Sequence, residues 1–200
     1  MGVRRSDKYW RQNHQPACHP VHPERIWAGA AGGGVWQSLD AGQTWQSCWS
    51  DQDILNIGSL AVDPRDPDTI YCGTGEANLS LDSYPGVGLY NSKDAGRTWQ
   101  LLASSERSGV LSGIGVIAID PFNSKHLLIG GVGYAEMSET RKSFGGLYTS
   151  FDSGVTWKRE TFSFESKLLV SLDRLPSHEE RHDPGYFYRT GCAQRHLALN

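Results

Sequence analysis

The sequence predicts an all-β protein made of repeated four-stranded units. The chain has 200 residues with 23 glycines, seven tryptophans and eight tyrosines. Short runs of aromatic and β-branched residues separated by glycines are typical of β-structure with many tight turns. One eight-residue pattern, S-x-D-x-G-x-T-W, occurs three times, beginning at Ser38, Ser92 and Ser150. A repeat of this kind indicates that the same supersecondary unit is built three times.

Each copy of this octad follows the same order of strands. A turn rich in proline comes first, at His19, Asp63 and Asp120, and a second strand follows it in every unit. The third strand runs directly into the octad, and a fourth begins at its Thr-Trp pair. Four short antiparallel strands in a unit of about 45 to 58 residues match the blade of a β-propeller. We therefore predict a β-propeller segment of about three four-stranded blades plus a partial fourth.

The units divide the chain into five segments. No octad follows Trp157, although Leu168–Asp173 could be the first strand of another blade. A propeller closes with about four to eight blades, so we expect a piece of a larger propeller. The predicted segments are an N-terminal extension (1–16), three blades (17–56, 57–113 and 114–165) and a partial blade or irregular tail (166–200).

The octad itself is best interpreted as a folding device. Its Asp can accept hydrogen bonds from backbone N–H groups a few residues further on, and its Gly can take a positive φ. Its Trp supplies a large apolar plate for packing between units. We predict a structural role for these residues: Ser38, Asp40, Gly42, Thr44, Trp45, Ser92, Asp94, Gly96, Thr98, Trp99, Ser150, Asp152, Gly154, Thr156 and Trp157.

These octads resemble Asp-box (BNR) repeats. The strings IGSLAVDPRDPDTIYCGTGE and GLYNSKDAGRTW are similar to bacterial Asp-box β-propellers, and the resemblance spans roughly 17–161. That superfamily includes sialidases, xyloglucan-degrading glycoside hydrolases, sortilin-type receptors and photosystem assembly factors. The resemblance implies a propeller whose octad turns lie away from the substrate face. It does not imply one activity, because a single architecture hosts all of these functions.

The loops at the opposite end from the octads are the predicted working face. The connection between the second and third strands is longer by about ten residues in the second and third units than in the first, and loops on a rigid scaffold commonly carry function. Carboxylates, an amide, tyrosines and an arginine are typical of a rim that binds a sugar or a protein. The predicted ligand-binding residues are Glu76, Asn78, Asp82, Tyr84, Tyr134, Glu136, Glu139 and Arg141.

The first functional prediction is a non-catalytic module that binds a protein or a glycan through this face. The alternative is a fragment of a glycoside hydrolase-like enzyme, of sialidase or xyloglucanase type, whose active site is completed by further blades. No catalytic residue is predicted. Glu24–Trp27 lacks the proline and the leading aromatic residue of a sialidase motif, and Gly29–Gly34 carries no acid where a xyloglucanase-like site would need one. A third possibility is an assembly factor that binds a protein partner.

Charge and hydropathy exclude several function classes. The net charge is −3 and no basic run occurs, which argues against a nucleic-acid interface. No stretch approaches the roughly 18 to 20 apolar residues of a membrane-spanning helix. No cofactor is expected, and no metal site, because His19 and His22 occupy turn positions and His178 and His182 lack a third ligand.

The expected partners are a protein or carbohydrate ligand, together with further propeller blades or a second copy of the chain. The cysteines are expected to be reduced, since no regular spacing indicates a disulfide framework. The amino-terminal residues show no apolar segment of a signal peptide, so the chain as written would stay in the cytoplasm. The family resemblance, in contrast, suggests a secreted or periplasmic protein.

Overall fold

The computed structural model describes residues 16–77, 84–104, 111–134 and 143–160. These residues form twelve strands and no helix, so this part of the chain contains no helix that could cross a membrane. The strands are β1 (Ala17–Cys18), β2 (Ile26–Ala30), β3 (Gly34–Ser38), β4 (Gln46–Ser47), β5 (Ile57–Val62), β6 (Ile70–Thr74), β7 (Gly88–Ser92), β8 (Gln100–Ser104), β9 (Gly113–Asp120), β10 (Asn123–Tyr134), β11 (Ser143–Ser150) and β12 (Lys158–Arg159).

The strands form three four-stranded antiparallel sheets, each built from consecutive strands. The orders are β1-β2-β3-β4, β5-β6-β7-β8 and β9-β10-β11-β12. The prediction of an all-β fold with three four-stranded units is therefore confirmed. The first two sheets lie inside predicted blade ranges, and the third begins at Gly113, one residue before its predicted range; the blade boundaries stay predictions. All but residue 16 of the predicted extension (1–16), and the whole of the predicted partial fourth blade or tail (166–200), lie outside the described residues.

The three sheets pack face to face, and a hydrophobic core fills each of the two interfaces. Successive residues of a strand point to opposite faces of its sheet, and β6 uses both faces. Ile70 and Cys72 join the first core with Trp27 of the first sheet, whereas Tyr71 joins the second core with Leu127 of the third sheet. The middle sheet is thus covered on both sides, which explains why every residue of β6 is buried.

The second octad is pressed against the first sheet. The indole Nε1 of Trp27 donates a hydrogen bond to the carbonyl oxygen of Ala95 at 3.2 Å, and the amide of Gln37 donates to the same oxygen at 3.4 Å. Trp27 is fully buried. Gly96 has φ = 88°, and a Cβ at this position would lie 3.0 Å from Trp27 Nε1. The turn therefore needs glycine here both for its backbone conformation and for space.

The cysteines differ in part from the sequence-based expectation. Cys18 is disulfide-bonded, contrary to the expectation of a reduced thiol. Cys48 and Cys72 are free, as expected. Burial raises the pKa of Cys48 to about 11 and that of Cys72 well above its ordinary value. Both thiols therefore stay protonated and unreactive at neutral pH.

We predict that Gly96→Ala destabilises the protein more than Gly42→Ala. Both glycines have φ near +90°, which costs an alanine roughly 1 to 2 kcal/mol. At Gly42 the nearest atom to an added Cβ is 3.7 Å away, so the second variant has the backbone cost alone. At Gly96 the methyl group must also displace Trp27, which adds about 1 kcal/mol or more. Urea unfolding of both variants measures the difference, and equal destabilisation would contradict the docking of this octad on Trp27.

Candidate functional site

The three octads close their turns with the same hydrogen bonds. In the first, Asp40 Oδ1 accepts from the Thr44 backbone N–H and the Ser38 hydroxyl, both at 2.8 Å, and Oδ2 accepts from the Thr44 hydroxyl at 2.6 Å. The Ser38 hydroxyl in turn accepts from the Gly42 N–H at 2.8 Å. The other two copies repeat this pattern. The fourth octad residue is not glycine, yet it has φ of 58 to 61° at Ala41, Ala95 and Ser153.

These hydrogen bonds make the octad carboxylates poor proton donors. The hydroxyl of Thr44 lowers the pKa of Asp40 to about 2, and the hydroxyl of Thr156 does the same for Asp152. A general acid for glycoside hydrolysis needs a raised pKa instead. The predicted structural role of the octads is supported by these contacts and stays a prediction, because only substitution tests it.

Histidine occupies the first turn in the place that Asp takes in the other units. His19 Nδ1 accepts from the backbone N–H groups of Val21 and His22, at 3.2 and 3.0 Å. Asp63 Oδ1 accepts equivalent bonds from its own turn at 2.9 and 3.4 Å. Burial, together with the nearby Arg25, lowers the pKa of His19, so its ring is a neutral acceptor. The described residues contain no cluster that could hold a metal ion.

The two long connections begin at the end of the sheets opposite the octads. The octads connect the third strand of each sheet to the fourth, whereas the long loops connect β6 to β7 and β10 to β11. Thr74 fixes the base of the β6–β7 loop. Its buried hydroxyl donates to the Gly88 carbonyl oxygen at 2.7 Å and accepts from the N–H groups of Val87 and Gly88 at 3.0 Å. This end of the second unit is therefore held firmly where the loop leaves the sheet.

The β6–β7 loop leans over the first strand of the third sheet. The Glu76 N–H donates to the Tyr84 carbonyl oxygen at 3.0 Å, which closes the described part of the loop. A Cβ on Gly113 would lie 2.6 Å from the Glu76 carbonyl oxygen, and one on Gly115 would lie 2.5 Å from the Ala77 Cβ. The two glycines of β9 thus make room for the loop. Sequence reasoning missed this contact, although the Gly-x-Gly spacing at the start of β9 was its signal.

The structure places only part of the predicted ligand-binding set. Glu76 is half-buried, Tyr84 is 61% exposed, and the main-chain hydrogen bond brings these two residues together. Tyr134 is the last residue of β10. The remaining predicted residues lie outside the described part of the chain, so nothing tests them: Asn78, Asp82, Glu136, Glu139 and Arg141.

The described part of the β6–β7 loop carries groups that could bind a ligand. In the described part of the loop, 75–77 and 84–87, Glu76 is the only acid. Glycoside hydrolysis generally needs a pair of carboxyl groups about 5 to 9.5 Å apart. A carboxylate can accept hydrogen bonds from sugar hydroxyls, and an exposed tyrosine ring can pack against a sugar ring. Catalysis would need a second acid beside Glu76.

Comparison with known proteins supports the propeller fold. The solved structure of an ancestral GH74 enzyme superposes with a TM-score of 0.54 at 17% identity, over 74% of this chain and 18% of that one. The fold is that of a partial β-propeller. Its three sheets are blades, and β1, β5 and β9 are the first strands of the three. No family model matches the chain.

Two curated relatives are xyloglucanases. The enzyme of Paenibacillus sp is 28% identical over 138 residues, which are 64% of this chain and 12% of the relative. Xgh74A of Acetivibrio thermocellus is 27% identical over 144 residues, 67% of this chain and 16% of the relative. The chain thus spans about an eighth to a sixth of these relatives. They support the alternative prediction, a fragment of a glycoside hydrolase-like protein, better than the first prediction of a non-catalytic module. The finer resemblance to Asp-box repeats, sialidases and sortilin-type receptors stays a prediction.

We predict that lowering the pH from about 4 to about 2 destabilises the protein through its octads. A carboxyl group whose folded pKa lies below its unfolded value of 3.8 stabilises the fold above that value and loses the contribution as the pH falls through the folded pKa. Asp40, Asp94 and Asp152 all have pKa values of about 2. Thermal melting against pH measures the effect. The variant Asp152→Asn should show a flatter profile in this window, whereas Leu39→Ser, which keeps all three carboxylates, should follow the wild type.

We predict that Gly115→Ala loosens the loop over β9. The added methyl group would overlap Ala77, so the loop must move away from the strand. The hydrogen bond from Glu76 N–H to Tyr84 should then open more often, and amide hydrogen exchange at Glu76 should accelerate. Gly32→Ala is the control, because an added Cβ there meets no atom within 4 Å. Unchanged exchange at Glu76 would show that the glycine does not position the loop.

Proposed function

We propose that this chain forms three blades of a xyloglucan-active glycoside hydrolase of the GH74 type. The observation that carries the proposal is the match of about two thirds of the chain to two xyloglucanases. The chain corresponds to a small share of each relative, so the proposed role is a contribution to a larger protein. In that role the blades supply part of the polysaccharide-binding face.

The geometry of the loop end supports a carbohydrate ligand. Tyr84 offers an exposed aromatic ring, and aromatic rings pack well against the apolar faces of sugars. Glu76 lies next to it through the main-chain hydrogen bond and can accept hydrogen bonds from sugar hydroxyls. The loop is held on β9 by close backbone packing, so little loop entropy would be lost on binding. The partner proposed here is therefore a polysaccharide rather than a protein.

The catalytic pair in this proposal is not contained in the described residues. Glu76 is a candidate for one member or for a binding role, and the second carboxylate comes from residues elsewhere in the full enzyme. We also propose that the octads are Asp-box repeats with a purely structural role. The three identical hydrogen-bond sets and the low pKa values of their acids support that assignment.

Affinity electrophoresis tests the proposed ligand. The chain should migrate more slowly in a native gel that contains xyloglucan than in one that contains amylose, without releasing sugar. Tyr84→Ala should remove most of the retardation, because the aromatic ring supplies the apolar contact. Phe122→Ala is the matched control, since Phe122 is 79% exposed at the opposite end of the sheets. Equal retardation in both gels, or in wild type and Tyr84→Ala, would overturn the proposal.

A further inference from the structure

A polar cleft lies between the first and second blades, away from the long loops. Its volume is about 430 Å³, within the range of about 300 to 1,000 Å³ that is common for small-molecule sites. One wall is formed by β4 and the residues that follow it, 46–52. The other wall is the end of the second octad, 96–99. The cleft therefore opens at the outer edge of the sheets.

The lining of this cleft is rich in neutral hydrogen-bonding groups. Gln46, Gln52, Ser47 and Ser50 line it, together with Gln37 and Thr98, whose side chains already donate to Ala95 and Asp94. Arg97 and Asp51 add one positive and one negative charge, so the formal charges cancel. Amides and hydroxyls both donate and accept hydrogen bonds. The lining therefore suits a neutral ligand with many hydroxyl groups better than an anion or a cation.

Two tryptophans give the cleft a rigid apolar part. Trp99 is half-buried, and its indole N–H donates to the Cys48 carbonyl oxygen at 2.8 Å. Its ring meets that of Trp49 edge-on, with centroids 5.0 Å apart. Trp49 is 2% exposed and is fixed by a second edge-on contact to Tyr90 at 5.1 Å. Trp99 is thus held in place without any ligand, which lowers the entropic cost of binding.

The next interface differs in its side chains. Leu101, Leu102 and Val155 occupy the positions that correspond to Ser47, Cys48 and Arg97. Leu102 packs against the second core together with Trp157, as Cys48 packs against the first, whereas Leu101 and Val155 are 40% and 65% exposed. The hydrogen-bonding side chains of Ser47 and Arg97 are therefore a feature of the first interface and not of the repeat.

We propose that this cleft binds a neutral oligosaccharide, as a second site separate from the loop face. Its amides and hydroxyls would bond the sugar hydroxyls, Arg97 and Asp51 would bracket the ligand, and Trp99 would contact an apolar ring face. The Cys48 thiol beside the cleft stays protonated at neutral pH, because burial raises its pKa to about 11. The proposal does not depend on the xyloglucan proposal, since no residue is shared between the two sites.

The indole N–H signal of Trp99 in a ¹⁵N NMR spectrum tests the proposal. The signal is assigned by its loss in Trp99→Phe, and the wild type is titrated with cellotetraose, xylotetraose and maltotetraose. At least one of them should shift the signal in a saturable way at millimolar concentration. Arg97→Ala should weaken that binding about tenfold, which corresponds to one hydrogen bond from a charged group.

The matched control is Gln43→Ala, because Gln43 holds the octad position of Arg97 in the first blade but does not line the cleft. Gln43→Ala should bind as the wild type does. Arg97→Ala should keep the wild-type melting temperature and the wild-type retardation by xyloglucan. The proposal is overturned if none of the three sugars shifts the Trp99 signal, or if Arg97→Ala and Gln43→Ala bind equally well.

Discussion

The fold depends on the packing of the second and third octad turns against the preceding blade. A four-stranded sheet with outer strands of two residues, such as β1 and β4, has little stability alone. The Ala95 carbonyl oxygen accepts the buried indole N–H of Trp27, so the turn that closes the second blade also completes the core of the first. Formation of the octad turn and packing between the two blades therefore depend on each other. This is expected for repeat proteins whose units cannot bury their faces alone.

Structural features that occur in all three units could be predicted from the sequence, whereas features that occur only once could not. The octads, the second and third strands and the proline turns could be predicted because three aligned copies reveal each position, and even His19 could be assigned to its turn by its place in the alignment. The contact of Glu76 and Ala77 with Gly113 and Gly115 joins distant segments, so the Gly-x-Gly spacing in β9 indicates a close approach but does not identify the segment that makes it. The cleft was missed for the same reason, because Arg97 and Gln46 line one cleft only when the first and second blades pack together. The disulfide at Cys18 had no sequence signal in the spacing of four cysteines.

The two candidate binding regions differ in how the fold produces them. The loop face comes from insertions, whose chemistry can vary without cost to the sheets. The cleft comes from polar side chains at one blade interface, where Ser47 and Arg97 hold the positions that Leu101 and Val155 hold at the next. The proposed ligand of the loop face agrees with the names of the xyloglucanase relatives. The cleft, in contrast, reflects a difference in side chains between the two blade interfaces. Their positions, at one end and at the outer edge of the sheets, allow both to be occupied at once.

One hydrogen bond distinguishes Trp99 from the other two octad tryptophans. Trp45 and Trp157 donate to a carbonyl oxygen in their own turns, whereas Trp99 donates across the blade interface to Cys48. Its fluorescence and indole exchange therefore report the separation of the first two blades, while the other two report local melting of a turn. Comparing the signal of Trp99 with those of Trp45 and Trp157 would therefore show whether the blades separate one after another or together. That distinction defines the cooperativity of unfolding in a linear array of repeats.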